Sequence, residues 1–471
     1  MSAPTYAGTI DQYRVEYYQR LETRQISPFV IPKYILSYVL LIAYLMLPWR
    51  LPFALRTLVF SAVVAFSILS LQISRTLGLA YGVIIGISSS WCITLSVNLL
   101  FLHRPRENFN RMIAYDSNLK HDDNSRTGVK NVERRQSMPN SAYERIFWVL
   151  DLLGSLRALH WSYGQSRNPD STGVYRKRTQ KITSVQRNLG KLLFVSLCLD
   201  CLKEVIALDP YFWGFTGHEP PDYIKSSLPT EGFIQAYRMS VAFAVLYVPI
   251  EFVSVVAVLL FVNTLGPSLA GTWGNAWAYG PQYGNFDSVC TRGLQGWWGT
   301  WWHQMFRFTL TSPTNAMINT LHFPKDAMIA RTLRLVIPFL ISGAIHASGS
   351  YTMWGNTKPI NSFLFFVMQP VGIVLQITGS RILNRLIPMD KIPRHARQAT
   401  NIAFTAIWLL KTFPLLADDF ASGGLWLTEP FPISMIQTLG LGSEARSHQL
   451  WPDYGIHLHS GPRWWQRGMA V

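Results

Sequence analysis

Apolar residues along this chain gather into long runs separated by polar stretches. The runs fall at about 29–48, 53–73, 79–101, 191–208, 235–264, 332–350, 361–380 and 400–417. Most are about 18–25 residues long, the length at which a helix crosses a hydrocarbon core of about 30 Å. A backbone inside lipid must satisfy every N–H and C=O within the protein, and a helix does so. The pattern predicts an all-α integral membrane protein: a multi-span helical bundle of about seven to nine transmembrane helices with amphipathic helices at the interface. The run at 235–264 is too long for one straight crossing. It holds Pro249 and Glu251 and predicts a tilted, kinked helix or two short pieces.

The stretches between the runs differ from one another. Residues 1–28 are polar and mixed, without the apolar centre of a signal peptide. Residues 103–141, with KHDDNSRTGVKNVERRQS at their centre, have the composition of a flexible loop. Residues 144–163, ERIFWVLDLLGSLRALHWSY, place apolar residues at helical spacing between Arg145, Asp151 and Arg157. They predict an amphipathic helix lying at the interface. A second polar loop, 164–190, carries YRKRTQK.

Charge orders these pieces across the membrane. The region 103–191 holds 17 Lys and Arg against 8 acids, and the loop 381–398 holds Arg381, Arg385, Lys391, Arg394 and Arg397. Loop 209–233 has Lys225 alone against several acids. With one crossing for each run from 191 to 380, both basic loops fall on one side, which is expected to be cytoplasmic. The same side holds 265–331. The organisation expected is a polar N-terminal segment (1–28), N-terminal transmembrane helices (29–102), a basic cytoplasmic loop with its amphipathic helix at 144–163 (103–190), a core (191–420) and a C-terminal tail (421–471).

Composition supports the membrane reading. Only 14% of the 471 residues are charged, against roughly 25% in soluble domains, and the mean hydropathy is +0.15. The net charge of +16 raises the question of nucleic acid. No basic face alternates with stacking aromatics, so no nucleic-acid partner is expected and the lipid bilayer is. Cys198 and Cys201 form a CxxC inside LFVSLCLDCLKEVIAL, and without a second ligand pair they read as small buried residues.

Two segments hold the candidate chemistry. His346 sits in LRLVIPFLISGAIHASGSY, an apolar run long enough to cross a bilayer. A polar group at that depth costs a few kcal/mol, which marks it as a functional candidate. Screened from water, an imidazole takes a proton from a hydroxyl as general base. Ser342, Gly343, Ala344, Ala347, Ser348 and Gly349 around it either leave space beside the ring or serve close helix packing. The second segment, RGLQGWWGTWWHQMFR at 292–307, gathers Trp297, Trp298, Trp301, Trp302, His303 and Gln304 between Arg292 and Arg307. Helical spacing places Trp297, Trp301 and Phe308 on one face with Trp298 and Trp302 beside it. An aromatic belt at the interface explains the tryptophans but not the His–Gln pair. The two arginines suit the phosphates of an anionic cosubstrate or of lipid headgroups. No HxxxH, HExxH or Cys/His pairing predicts a metal site.

RGLQGWWGTWWHQMFR resembles the R-x-L-x-x-FWG-x-x-WHQ-x-x-R segment of the wax synthase-like branch of the membrane-bound O-acyltransferases. SGAIH, ending at His346, resembles that branch's SG-x-x-H. FFVMQPVGIVLQ, containing Gln369, resembles its FF-x-x-Q-x-x-G-I. LGSLRALHWSYG is similar to the "LRG-x-GW" helix before the core. The resemblance runs over about 145–385 in the expected order. Thr300 and Trp301 stand where the family often has basic residues, and Ala347 where it often has Glu. The overall look is that of fungal members that acetylate hydroxyls of terpenoid and meroterpenoid natural products, which makes 191–420 an acyltransferase core.

The resemblance implies an acyl-CoA-dependent O-acyltransferase in the endoplasmic reticulum membrane, with acetyl-CoA as cosubstrate, no bound cofactor or metal, and an apolar alcohol acceptor arriving through the bilayer. His346 and His303 would be catalytic. Gln304, Trp298, Trp302, Arg292, Arg307 and Gln369 would bind substrate. A long-chain wax or sterol ester synthase is the near alternative. A non-enzymatic transporter and a terpene cyclase using Glu251 or Asp200 as its acid are alternatives of other classes. Asp200, Lys203 and Glu204 lie at i, i+3 and i+4 and read as a structural set on one helix face. Glu251 has no partner legible in the sequence.

Overall fold

The computed structural model describes residues 5–26, 29–73, 82–115, 132–163, 182–228, 230–387, 392–427, 434–441, 457–459 and 468–470. The middles of both expected polar loops, Lys391 and most of the tail lie outside the described residues.

Helices carry the fold. Its long elements are α1 (Tyr6–Glu22), α2 (Ile31–Met46), α3 (Phe53–Ile73), α4 (Gly82–Val97), α5 (Ala142–Gly154), α6 (Val185–Leu208), α7 (Glu231–Ala257), α8 (Asp287–Gly296), α9 (Arg307–Thr320), α10 (Met328–Thr352), α11 (Pro359–Leu386), α12 (Arg394–Thr412) and α13 (Pro414–Ser422). Among the described residues every predicted run falls on one of them except the last, 400–417, which crosses from α12 into α13. Among the described residues six segments, at 53–71, 82–102, 231–274, 328–352, 359–386 and 394–422, are long and apolar enough to cross a membrane. α2 is apolar but shorter, and α6 carries charged residues along its length. α3 leaves Phe53, Leu55, Leu58, Ile68 and Leu69 exposed, as expected of a helix that faces lipid rather than protein.

The long run does not split. α7 passes through Pro249 and continues without a break into a π-helical stretch, Val258–Leu265. Glu251 is not alone on it: its carboxylate pairs with Lys191 of α6, sixty positions away in sequence.

Two polar regions are more ordered than their composition suggests. The expected interfacial helix at 144–163 stops at Gly154. Beyond it the chain turns, Ala158 takes a positive φ of 50°, and Trp161 bridges back to Arg111. Asp151 is the cause. Its buried carboxylate takes His160 Nε2 at 2.9 Å and Arg111 at 3.3 Å, and this draws the turn onto a hairpin of β1 (Arg111–Tyr115) and β2 (Val132–Gln136). The other face of α5, with Trp148, Val149 and Leu152, is buried in a core shared with Leu41, Tyr44 and Leu45 of α2. At the N-terminus α1 is capped by Thr5 and buries Tyr6, Tyr17 and Leu21. Tyr6 packs on Trp213 and Tyr17 on Trp354.

The centre of the bundle is α10, held between α4 and α11 by close backbone approach. A Cβ on Gly86 would sit 2.1 Å from the Ser348 carbonyl oxygen, and one on Gly343 would press on Phe363 and Phe366. The Ser348 hydroxyl donates to the Gly86 carbonyl at 2.9 Å. Small residues let helices associate in this way where lipid supplies no hydrophobic drive. The small neighbours of His346 are therefore used for packing. They do not clear space beside its ring, because Phe366 lies against it at 4.3 Å between ring centres.

Candidate active site

The two histidines singled out above line one cavity, of about 960 Å³, inside the bundle. α10 brings His346, and the break between α8 and α9 brings His303. The local geometry of that break explains why. After α8 the chain makes a π-helical turn, Trp297–Trp301, closed by Trp302 N–H donating to the Trp297 carbonyl at 2.7 Å. It then leaves helical geometry before α9 starts at Arg307. Gln304 braces the turn. Its amide nitrogen donates to the Trp302 carbonyl at 2.6 Å, and its carbonyl oxygen accepts from Arg307 at 3.2 Å.

Hydrogen bonding fixes the state of His346. Its Nδ1 lies 2.8 Å from the Ser342 carbonyl oxygen. A carbonyl only accepts, so Nδ1 carries a proton, and in the neutral ring it is Nε2 that holds the lone pair. In that form the ring is a base held by its own helix. His303 is half-buried on the same cavity, and its Nδ1 has no hydrogen-bond partner. Burial, with the His346 imidazole facing it, pulls His303 down to about 4, so its ring is neutral near pH 7.

The profile of the membrane bound O-acyl transferase family matches residues 279–368, a span that contains both histidines. Acetyltransferase eriL from Hericium erinaceus is 24% identical over 302 residues, 63% of this chain and 72% of that protein. Acetyltransferase spyB from Aspergillus fumigatus is 31% identical over 97 residues, 20% of this chain and only 16% of that protein. O-Mevalon transferase yanI from Aspergillus niger is 24% identical over 272 residues, 55% of this chain and 58% of that protein. No solved structure matches the chain. Residues 279–368, the stretch that holds both histidines, thus match the membrane-bound O-acyltransferase family.

The remaining predicted residues divide into three groups. Trp298, Trp302, Gln304 and Arg307 line the cavity with the histidines. Gln369 does not: it is fully buried behind the wall. There its Oε1 accepts from Trp298 Nε1 at 3.1 Å and its Nε2 donates to the Phe365 carbonyl at 2.8 Å. It sets the position of Trp298. Arg292 lies apart, on a second cavity, with its guanidinium on the Thr300 hydroxyl at 2.6 Å. The single face expected for Trp297, Trp301 and Phe308 does not form, because the π-turn and the break interrupt the helix. Trp297 and Trp301 pack on Phe243 of α7, whereas Phe308 packs on His103, Phe109 and Tyr163.

The rest of the wall comes from residues with no chemical signal of their own. Val83 and Ile87 of α4, Phe339 of α10, Phe365 and Phe366 of α11, and Leu416 and Phe420 of α13 make it apolar. Neither Glu251 nor Asp200 lines it, so neither carboxylate is placed to protonate an alkene there. Cys201 is exposed and Cys198 half-buried, and both are free thiols rather than core residues.

Proposed function

We propose that this chain is a membrane-bound O-acetyltransferase that moves acetyl from acetyl-CoA to the hydroxyl of a polycyclic terpenoid alcohol, at the endoplasmic reticulum membrane. One observation carries the reading. Two imidazoles face one large, mostly apolar cavity, and one of them has its Nδ1–H committed to the Ser342 carbonyl.

The chemistry follows from that arrangement. His346 Nε2 takes the acceptor's hydroxyl proton as the oxygen attacks the thioester carbonyl carbon. The new C–O bond forms while charge collects on the carbonyl oxygen. The C–S bond then breaks, and the departing CoA thiolate takes back the proton from the His346 imidazolium. His303, neutral and beside the thioester, donates to the oxyanion. Gln304 has its amide nitrogen engaged with the turn, so its part is to hold His303 and Trp302 in place. The aromatic wall, with Trp298, Phe339, Phe365 and Phe366, suits a rigid ring system.

The names of eriL and spyB favour acetyl as the transferred group, and that of yanI points to a different group in another relative. The test is expression in a yeast host fed with deacetyl terpenoid alcohols. A product heavier by one acetyl group is expected. Esterification of long-chain alcohols from palmitoyl-CoA, without acetylated terpenoid, would instead make the chain a wax synthase.

A further inference from the structure

A second cavity, of about 640 Å³, lies where α11 ends and α12 begins. Arg292 of α8, Arg381 of α11, and Arg394 and Arg397 of α12 all line it, and all four are exposed. Among the described residues none of them forms an ion pair with a carboxylate. Four guanidinium groups gathered with no carboxylate among the described lining residues repel one another until an anion joins them.

The floor of this cleft is built from polar pins. Gln376 of α11 accepts from the Leu294 N–H at 2.9 Å and donates to Asn401 of α12 at 3.0 Å. Asn401 in turn donates to the Cys290 and Thr291 carbonyls at 3.0 and 3.1 Å. Three elements are thereby held in register. Gly293, at φ 57°, lets α8 turn over Gln376, where any Cβ would stand 1.9 Å from its amide nitrogen. Before that kink Arg292 faces the cleft. After it Trp297 faces the histidine cavity, and Gln295, between the two, lines both.

We propose that the arginine cleft binds the phosphate groups of the acyl-CoA, with the pantetheine arm passing Gln295 into the cavity of His303 and His346. This rests on the acyl-CoA-dependent reading above. Guanidinium forks match phosphate oxygens in pairs, and α12, a 19-residue helix that starts at Arg394, adds the positive end of its dipole. The same chemistry also suits an anionic lipid headgroup, so the experiment separates the two sources.

The full-length protein in neutral-lipid nanodiscs is titrated with CoA, dephospho-CoA and adenosine 3′,5′-bisphosphate, as wild type and as R394Q/R397Q. Arg385→Gln, at the end of α11 but outside the cleft, is the control. CoA affinity is expected to fall about tenfold or more in the double variant, the size of one lost charge-assisted bond. Wild type should bind CoA more tightly than dephospho-CoA, and the variant should lose that preference and its hold on the bisphosphate. Unchanged CoA affinity in the variant overturns the proposal. So does a variant that loses only its affinity for anionic nanodiscs, since the cleft would then be a headgroup site. Acetyl transfer by the wild type is measured alongside. Transfer with an unaltered variant affinity sinks the cleft alone, and absence of both transfer and CoA binding sinks the donor reading as well.

Discussion

α6 and α10 are both long helices with titratable side chains, and they put them to opposite uses. On α6, Asp200 accepts from the Ser434 hydroxyl at 2.5 Å and from the Ile436 N–H at 2.8 Å, while Lys203 donates to the Trp426 carbonyl at 3.0 Å. Both side chains are buried and tie the C-terminal part of the chain to the bundle. On α10, His346 spends one nitrogen on its own helix and keeps the other for the cavity. The cost of a polar group in an apolar helix thus does not by itself reveal function. What separates the two helices is whether a lone pair stays free at the wall of a space large enough for a substrate.

Substitutions on the two helices should therefore diverge. The largest loss of turnover is expected for His346→Ala: acyl transfer should fall by about 10²-fold or more with membrane expression retained. Near-normal turnover of the well-expressed protein would return His346 to a packing role. Asp200→Ala should do the reverse. Leaving the Ser434 and Ile436 donors unmatched costs about 1–3 kcal/mol, seen as a lower melting temperature in detergent, while turnover per folded molecule stays near wild type. An unshifted melting temperature would remove the contrast.

His303→Gln sharpens the comparison from the other side of the cavity. It should lower the rate by roughly tenfold, below the usual loss of a full oxyanion donor, because Gln can still donate. Since burial and His346 hold His303 at about 4, the ring is already neutral from about pH 5 upward. The pH–rate profile between pH 5 and 8 should keep its shape in the variant. A limb that disappears would show that His303 titrates within that window.

Much of this was legible in the sequence because lipid imposes simple rules. The apolar runs marked the helices, and His346 stood out by its cost. The partners were not legible. Lys191 meets Glu251 only because α6 and α7 lie side by side, and no local pattern announces it. The end of α5 was hidden as well, since apolar spacing continues past Gly154 while Asp151 gathers His160 and Arg111 into a turn. α1 did carry a signal in Tyr6, Tyr13, Tyr17 and Leu21 at helical intervals, diluted by its polar neighbours. In the sequence the arginines of 381–397 mark topology alone, because only the fold places them beside Arg292.

The turn at Trp297–Trp301 has a consequence for how this site tolerates change. A π-turn holds one residue more than an α-turn over the same length of axis. Each helical residue advances the chain by about 100° around that axis. His303 therefore faces the cavity by virtue of a count as well as an identity. A chain with the same letters but one residue fewer between Gly296 and Trp302 would keep its tryptophans, its histidine and its hydropathy, and would aim the imidazole elsewhere. Deletions in this segment are frame errors in space, and a scan that only exchanges side chains would pass over them.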